Sequence, residues 1–138
     1  MGKITAMIKV TNGMDEFWAR EGRLYPSLIR LIETEAIAND DVIMSRLKKS
    51  VIKQLGLPFL TGRKVGTPDG VVRRKIYAEA HLFLMERDVS IDVVEVPDDC
   101  PNVIGRICLM ALDFVLDRHG QQIIPNPAHD GEWQTEEY

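Results

Sequence analysis

The sequence predicts a mostly-β single domain, a small closed β-barrel with one or two short helices, and three observations predict it. Ile4, Ala6, Ile8 and Val10 alternate with Thr5, Met7 and Lys9, the period of a half-buried strand. Thr67-Pro68-Asp69-Gly70 puts a proline and a glycine where a hairpin turn needs one fixed φ and one positive φ. Short apolar runs then recur to the end of the chain, separated by Glu86-Arg87-Asp88, Pro97-Asp98-Asp99 and Arg118-His119-Gly120.

Thr11-Asn12-Gly13 ends the first strand. The insert from Met14 to Tyr25 mixes Phe17, Trp18, Leu24 and Tyr25 with charges, and it reads equally as a short helix or an ordered loop. Leu28 to Ile37 has strand character, although its first half also fits a helical turn. From Arg46 to Leu55, the apolar residues Leu47, Val51, Ile52 and Leu55 share one face of a short helix, with Lys48, Lys49 and Lys53 outside. Gly56 stands where a helix end favours positive φ, and Pro58 prevents the helix from resuming. Arg63 to Ala80 is a hairpin about the Thr67–Gly70 turn, with Val71-Val72 and Ile76-Tyr77 in its return arm. His81 to Glu86 and Val89 to Val96 form a second strand pair. Ile107 to Phe114 is an apolar helix, and Val115 to Asp117 with Gln121 to Ile124 is a last hairpin. The domain is expected over residues 1–125, followed by a polar, loosely ordered tail over 126–138.

A chain of 138 residues can bury a core of its own. A net charge of −4 argues against a broad nucleic-acid footprint. Cys100 and Cys108 have neither CxxC nor metal-ligand spacing and read as reduced thiols of a cytosolic protein. Met1 to Thr5 has no apolar signal core, and no run approaches the length of a membrane span. The expectation is a cytoplasmic domain with no membrane or nucleic-acid partner. His81, His119 and His129 are widely spaced without a nucleophile pattern and read as surface residues. Asp98-Asp99 reads as a turn, and Arg73-Arg74-Lys75 as charges that keep a strand edge soluble. Trp18 and Trp133 are too isolated to suggest stacking platforms. No metal site and no cofactor are expected.

Four blocks remain: Ala36-Ile37-Ala38-Asn39-Asp40-Asp41-Val42, Gln54-Leu55-Gly56-Leu57-Pro58, Thr67-Pro68-Asp69-Gly70 and Val103-Ile104-Gly105-Arg106. In this order and at these spacings the chain resembles the retropepsin-like aspartic proteases of the single-domain bacterial type. Members of that family carry a hydrophobic residue followed by Asp-Thr-Gly-Ala, then Leu-Gly-Leu, a flap hairpin bearing Asp-Gly, and a hydrophobic-Gly turn opening a helix. Without a gap, Asn39 takes the place of the catalytic aspartate, Asp40 that of threonine, Asp41 that of glycine and Val42 that of alanine. The resemblance implies that Ile104 and Gly105 form the turn beneath the active site. It also implies that Thr67, Pro68, Asp69 and Gly70 are the tip of a flap closing over bound peptide. In this family each subunit of a homodimer supplies one aspartate, so a homodimer is implied as well.

The departure at Asn39 changes the expected chemistry. Two close carboxyls share a proton, so that one serves as acid while the other activates water. A pair of asparagines can do neither, and each acid–base role is worth ~10²–10⁴-fold in rate. Two copies of Asp40 facing each other would repel, and Asp41 adds bulk and charge where the family has glycine. The leading expectation is therefore a catalytically silent homologue that binds a peptide or protein segment. The alternative is an active aspartic endopeptidase using Asp40 or Asp41 as the paired carboxylate.

Overall fold

In a computed structural model, the structure describes residues 3–135, so Met1, Gly2 and the end of the acidic tail, Glu136 to Tyr138, lie outside it. Strand β1 (Ile4–Asn12) pairs antiparallel with β2 (Leu31–Ala38) from Ile4↔Ala38 to Thr11↔Leu31. The intervening insert resolves into helix α1 (Gly13–Arg20) and a 3-10 turn over Pro26–Leu28. Asn12 starts α1, its side-chain oxygen accepting from the Met14 and Asp15 amides at 2.9 and 3.0 Å. Asp15, buried on that helix, takes a two-pronged contact from Arg30, at 2.9 Å from both Nε and Nη2, which fastens the insert to the start of β2. The Arg30 hydrogen bonds hold the Asp15 carboxyl below its ordinary pKa against the opposing effect of burial.

The predicted helix over Arg46–Leu55 is shorter than its apolar period suggests. Arg46–Lys48 is a strand, β3, and only Lys49–Leu55 is helical, as α2. Backbone pairing decides the difference: β3 lies between the strand β6 (Arg87–Val96), which it meets parallel at Arg46↔Val94, and β7 (Val103–Ile104), which it meets antiparallel at Arg46↔Val103. A long-range ladder of this kind outweighs local helical preference. Gly56 ends α2 at φ +62, as its position in the sequence predicts.

Strand β4 (Phe59–Thr67) turns at Pro68-Asp69 into β5 (Gly70–Leu84), in register from Thr67↔Gly70 to Thr61↔Ile76 and shifted by a bulge before Phe59↔Tyr77. The return arm does not stop at Ala80 but continues through the segment predicted as a separate strand, turning into β6 at Met85-Glu86. Between Tyr77 and Ala80 the β5–β6 register shifts, and Glu79 sits at φ +63. This bulge falls where β5 gives up β4 as a partner and takes β1, through Asn12↔Ala80 to Lys9↔Phe83. The order β1-β2-β7-β3-β6-β5 thus returns to β1, and β4 extends beyond that ring as an edge strand. Ile8, Val10, Leu47, Leu82, Val93 and Ile104 fill the interior.

After β7 come helix α3 (Arg106–Ala111) and the hairpin β8 (Phe114–Asp117) with β9 (Gln122–Pro125). The described residues therefore hold three short helices rather than one or two, α1 being the addition. Residues 126–134 are not a loose tail either. Asp113, buried at φ +59, accepts from Asn126 Nδ2 at 3.1 Å, His129 Nδ1 at 2.6 Å and the Gln134 amide at 3.0 Å. Trp133 Nε1 donates to the Ala111 carbonyl at 3.0 Å, and Arg87 reaches the Gly131 carbonyl at 2.9 Å. A buried acid with three donors acts as an anchor for the segment. Among the described residues no helix is long and apolar enough to cross a membrane.

Candidate functional site

Strands β2 and β3 are neighbours in sequence but not in the sheet, because β7 lies between them. β2 runs parallel to β7 at Ile37↔Val103 and Ala38↔Ile104. The chain leaving β2 must therefore cross β7 before it can pair as β3, and residues 39–45 make that crossing. The crossing is tightly tied. The Asn39 amide donates to the Ile104 carbonyl at 3.0 Å, the Arg106 amide to Val42 at 2.6 Å and the Ile107 amide to Ile43 at 3.1 Å. The Gly105 amide donates to the buried Ser45 hydroxyl at 3.0 Å. Gly105 has ordinary extended backbone, φ −90 and ψ 178, so its glycine is a matter of space. A Cβ there would stand 2.8 Å from the Met44 carbonyl carbon and 2.9 Å from the Ile43 and Val42 oxygens. Ile104 thus lies against Asn39, and Gly105 against Val42 to Ser45 in the later part of the same loop.

Within that loop, the Asn39 side-chain oxygen accepts from the Asp41 amide at 2.9 Å, a local turn that holds the amide in place. Asp40 accepts from Arg118 Nη2 at 2.8 Å, both side chains being substantially exposed. Asp41 is exposed. Asn39 and Asp41 open onto a cavity of about 290 Å³, which Leu116, Arg118 and Gln121 of the last hairpin also line. Of the two acids beside Asn39, Asp40 is thus already engaged by a guanidinium.

Thr67, Pro68, Asp69 and Gly70 lie elsewhere, at the tip of the β4–β5 hairpin. Thr67 closes the turn with a 2.6 Å hydrogen bond to the Gly70 carbonyl. Thr67, Pro68 and Asp69 overhang a second cavity of about 320 Å³, whose other walls include Val94, Val96, Pro101 and Val103. The hairpin tip and the Asn39 loop therefore line two different concavities, on either side of β7.

Two residues lining the cavity under the hairpin were hidden in the sequence: Arg46 and Arg74. Arg74 reads there as one of three solubilising charges, yet it shares its face of β5 with half-buried Val72 and buried Ile76, while Arg73 and Lys75 are exposed on the other. The period-2 alternation from Val72 to Ile76 was the signal that places it inward.

The remaining chemistry-bearing side chains have structural partners. Burial pushes the Cys108 thiol up to about 12, with a Ser45 hydrogen bond acting weakly the other way, so it is not a nucleophile at neutral pH. His81 is no free surface residue. Its Nδ1 meets Glu16 of α1 at 2.7 Å and its Nε2 meets Asp88 of β6 at 2.6 Å. His129 pairs with Asp113 at 2.6 Å. Asp98 accepts from the Ser50 amide at 2.9 Å in the first turn of α2. Trp18 packs edge-on against Phe17, with ring centroids 5.1 Å apart.

The His81 contacts give a pH dependence of known sign. Burial opposes the imidazolium, but the hydrogen bonds it donates to Asp88 and Glu16, with their negative charges, outweigh that and raise the pKa above 6.5. The folded state therefore holds the proton more tightly than the unfolded chain. The resulting stabilisation is complete below about pH 6.5 and is lost as pH rises through the raised value. His81→Gln is expected to cost about 1–2 kcal/mol at pH 5.5 and distinctly less at pH 8.5, read from urea midpoints at each pH. Equal losses at the two values would show that protonation plays no part.

No protein-family model matches the chain, and no curated protein sequence matches it.

Proposed function

We propose that the chain is a retropepsin-like aspartic protease homologue that lacks catalysis and binds an extended peptide or protein segment under its hairpin flap, as a homodimer. The observation that carries the reading is the crossing of β7 by residues 39–45. An amide, Asn39, opens this crossing at the position where the resemblance calls for a carboxylate, and the later part of the same loop, Val42 to Met44, packs against Gly105. The hairpin overhanging a mainly apolar cavity supports the peptide-binding half of the proposal. Against the active alternative stands Asp40, whose carboxylate is paired with Arg118 and would have to leave it to serve as acid or base.

Incubation with an unfolded protein substrate between pH 4 and 7 tests the catalytic half. Cleavage at the background rate is expected. Turnover that disappears in Asp40→Ala or Asp41→Ala would establish the peptidase instead. Asn39→Asp is expected to raise turnover by less than about tenfold, because one restored carboxyl supplies neither the threonine nor the glycine that Asp40 and Asp41 replace. A far larger gain would show that the rest of the loop is competent as it stands. Sedimentation equilibrium reads the assembly, and a strictly monomeric chain at high concentration would remove the dimer from the proposal.

A further inference from the structure

Strand β3 and the inner face of the hairpin bring together positive charges that no ion pair among the described residues neutralises. Arg63 and Arg74 are directly opposite in the β4–β5 register, so both occupy the same face of the hairpin. Arg46 of β3 joins Arg74 in lining the cavity beneath the tip. Two like charges directly across a strand pair are unfavourable, and a concave, mainly apolar surface strengthens their field by excluding water. Among the described residues none of the three makes an ion pair, although the chain carries 21 acidic residues against 17 basic ones. Arg63 Nη1 donates to the Met44 sulfur at 3.6 Å, a neutral acceptor. The one carboxylate on the cavity wall, Asp69, belongs to the exposed turn and pairs with none of them. The neighbouring concavity, lined by Arg63, holds Glu79 and Asp92, and neither forms a salt bridge to it.

We infer that this groove selects an acidic peptide: an extended segment whose aspartate or glutamate side chain reaches Arg46 and Arg74 while its apolar neighbours lie on Val65, Val72, Val94 and Val103. Guanidinium groups match a carboxylate in two-pronged geometry, and the match gains strength where water is displaced. The valines supply non-specific contact, and the two arginines supply the choice of side chain. This inference rests on the reading of the groove as a peptide site and adds the class of peptide it takes.

The test uses three fluorescein-labelled peptides of alternating valine and serine that differ only in a central glutamate, glutamine or lysine, titrated with the full chain by fluorescence anisotropy. The glutamate peptide is expected to bind at least about tenfold more tightly than the glutamine one at low salt, the lysine peptide more weakly still, and the gap to narrow as salt is raised. Arg74→Gln should abolish the preference, whereas the outward-facing Arg73→Gln should keep it. Arg74→Glu should move the preference to the lysine peptide, a reversal that loss of structure cannot produce. Equal binding of all three peptides overturns the acidic selectivity while leaving a peptide groove in place. Binding of none of them overturns the groove and the selectivity together.

Discussion

Gly105→Ala is expected to destabilise the fold by about 3 kcal/mol, at the upper end of what one added methyl costs in a packed interior. The reason is what surrounds the new atom. Its nearest neighbours, at 2.8–2.9 Å, are backbone atoms of Val42, Ile43 and Met44, which cannot rotate away as a side-chain end could. Moving them lengthens the hydrogen bonds from Arg106 to Val42 and from Ile107 to Ile43, and strains the Gly105–Ser45 contact. Backbone conformation contributes nothing, since φ −90 and ψ 178 suit alanine as well as glycine. Gly66→Ala supplies the comparison. A Cβ at Gly66 meets nothing within 4 Å, so that variant should stay within about 0.5 kcal/mol of the parent. Urea midpoints separate the two cases: a drop of roughly 1 M or more is expected for Gly105→Ala and almost none for Gly66→Ala. A cost under about 1 kcal/mol at Gly105 would mean that the 39–45 loop yields easily, and a loop that yields could also bring Asp40 or Asp41 into a carboxylate pair.

The same contrast between local and distant forces explains which parts of the molecule were legible in the sequence. The hairpin turn at Thr67–Gly70, the end of α2 at Gly56 and the first strand rest on interactions within a few residues. Their signals, a proline and a glycine at fixed offsets or a period of two, are written in the segment itself. β3 was misread as helix because Leu47 is buried in either conformation, and pairing with Val94 and Val103, far along the chain, decides between them. The continuation of β5 past Ala80 was hidden for a related reason: its bulge at Glu79 exists to exchange β4 for β1, an event with no local marker. The ordered segment after Pro125 was missed because its anchor, Asp113, looks like any exposed acid at the end of a helix. At the candidate site the acidic turn Asn39-Asp40-Asp41 between β2 and β3 was visible in the sequence. The Arg118 contact to Asp40 spans 78 positions and was not. Arg74 was readable in principle, since alternation alone fixes its face, but its neighbours Arg73 and Lys75 masked it as part of a charge run.

Asn12→Ala is the second change expected to cost about 3 kcal/mol, and here the loss is of hydrogen bonds rather than space. Asn12 is 1% exposed at the end of β1, and its one side chain serves two helices. The oxygen caps α1, through Met14 and Asp15, while the Nδ2 group donates to the Leu55 carbonyl at 2.9 Å and the Gly56 carbonyl at 3.2 Å, closing the end of α2. Loss of the cap alone is worth about 1 kcal/mol, and carbonyls left without a donor in the interior cost a further 1–3 kcal/mol. Asn12→Asp separates the two contributions. It keeps an oxygen for α1 but turns an acceptor toward the Leu55 and Gly56 carbonyls, so it should be at least as destabilised as Asn12→Ala at neutral pH. If Asn12→Asp were instead close to the parent, capping of α1 would be the whole role. The junction between β1 and the Leu55-Gly56-Leu57 segment would then have to be held by apolar packing of Leu55 and Leu57 alone.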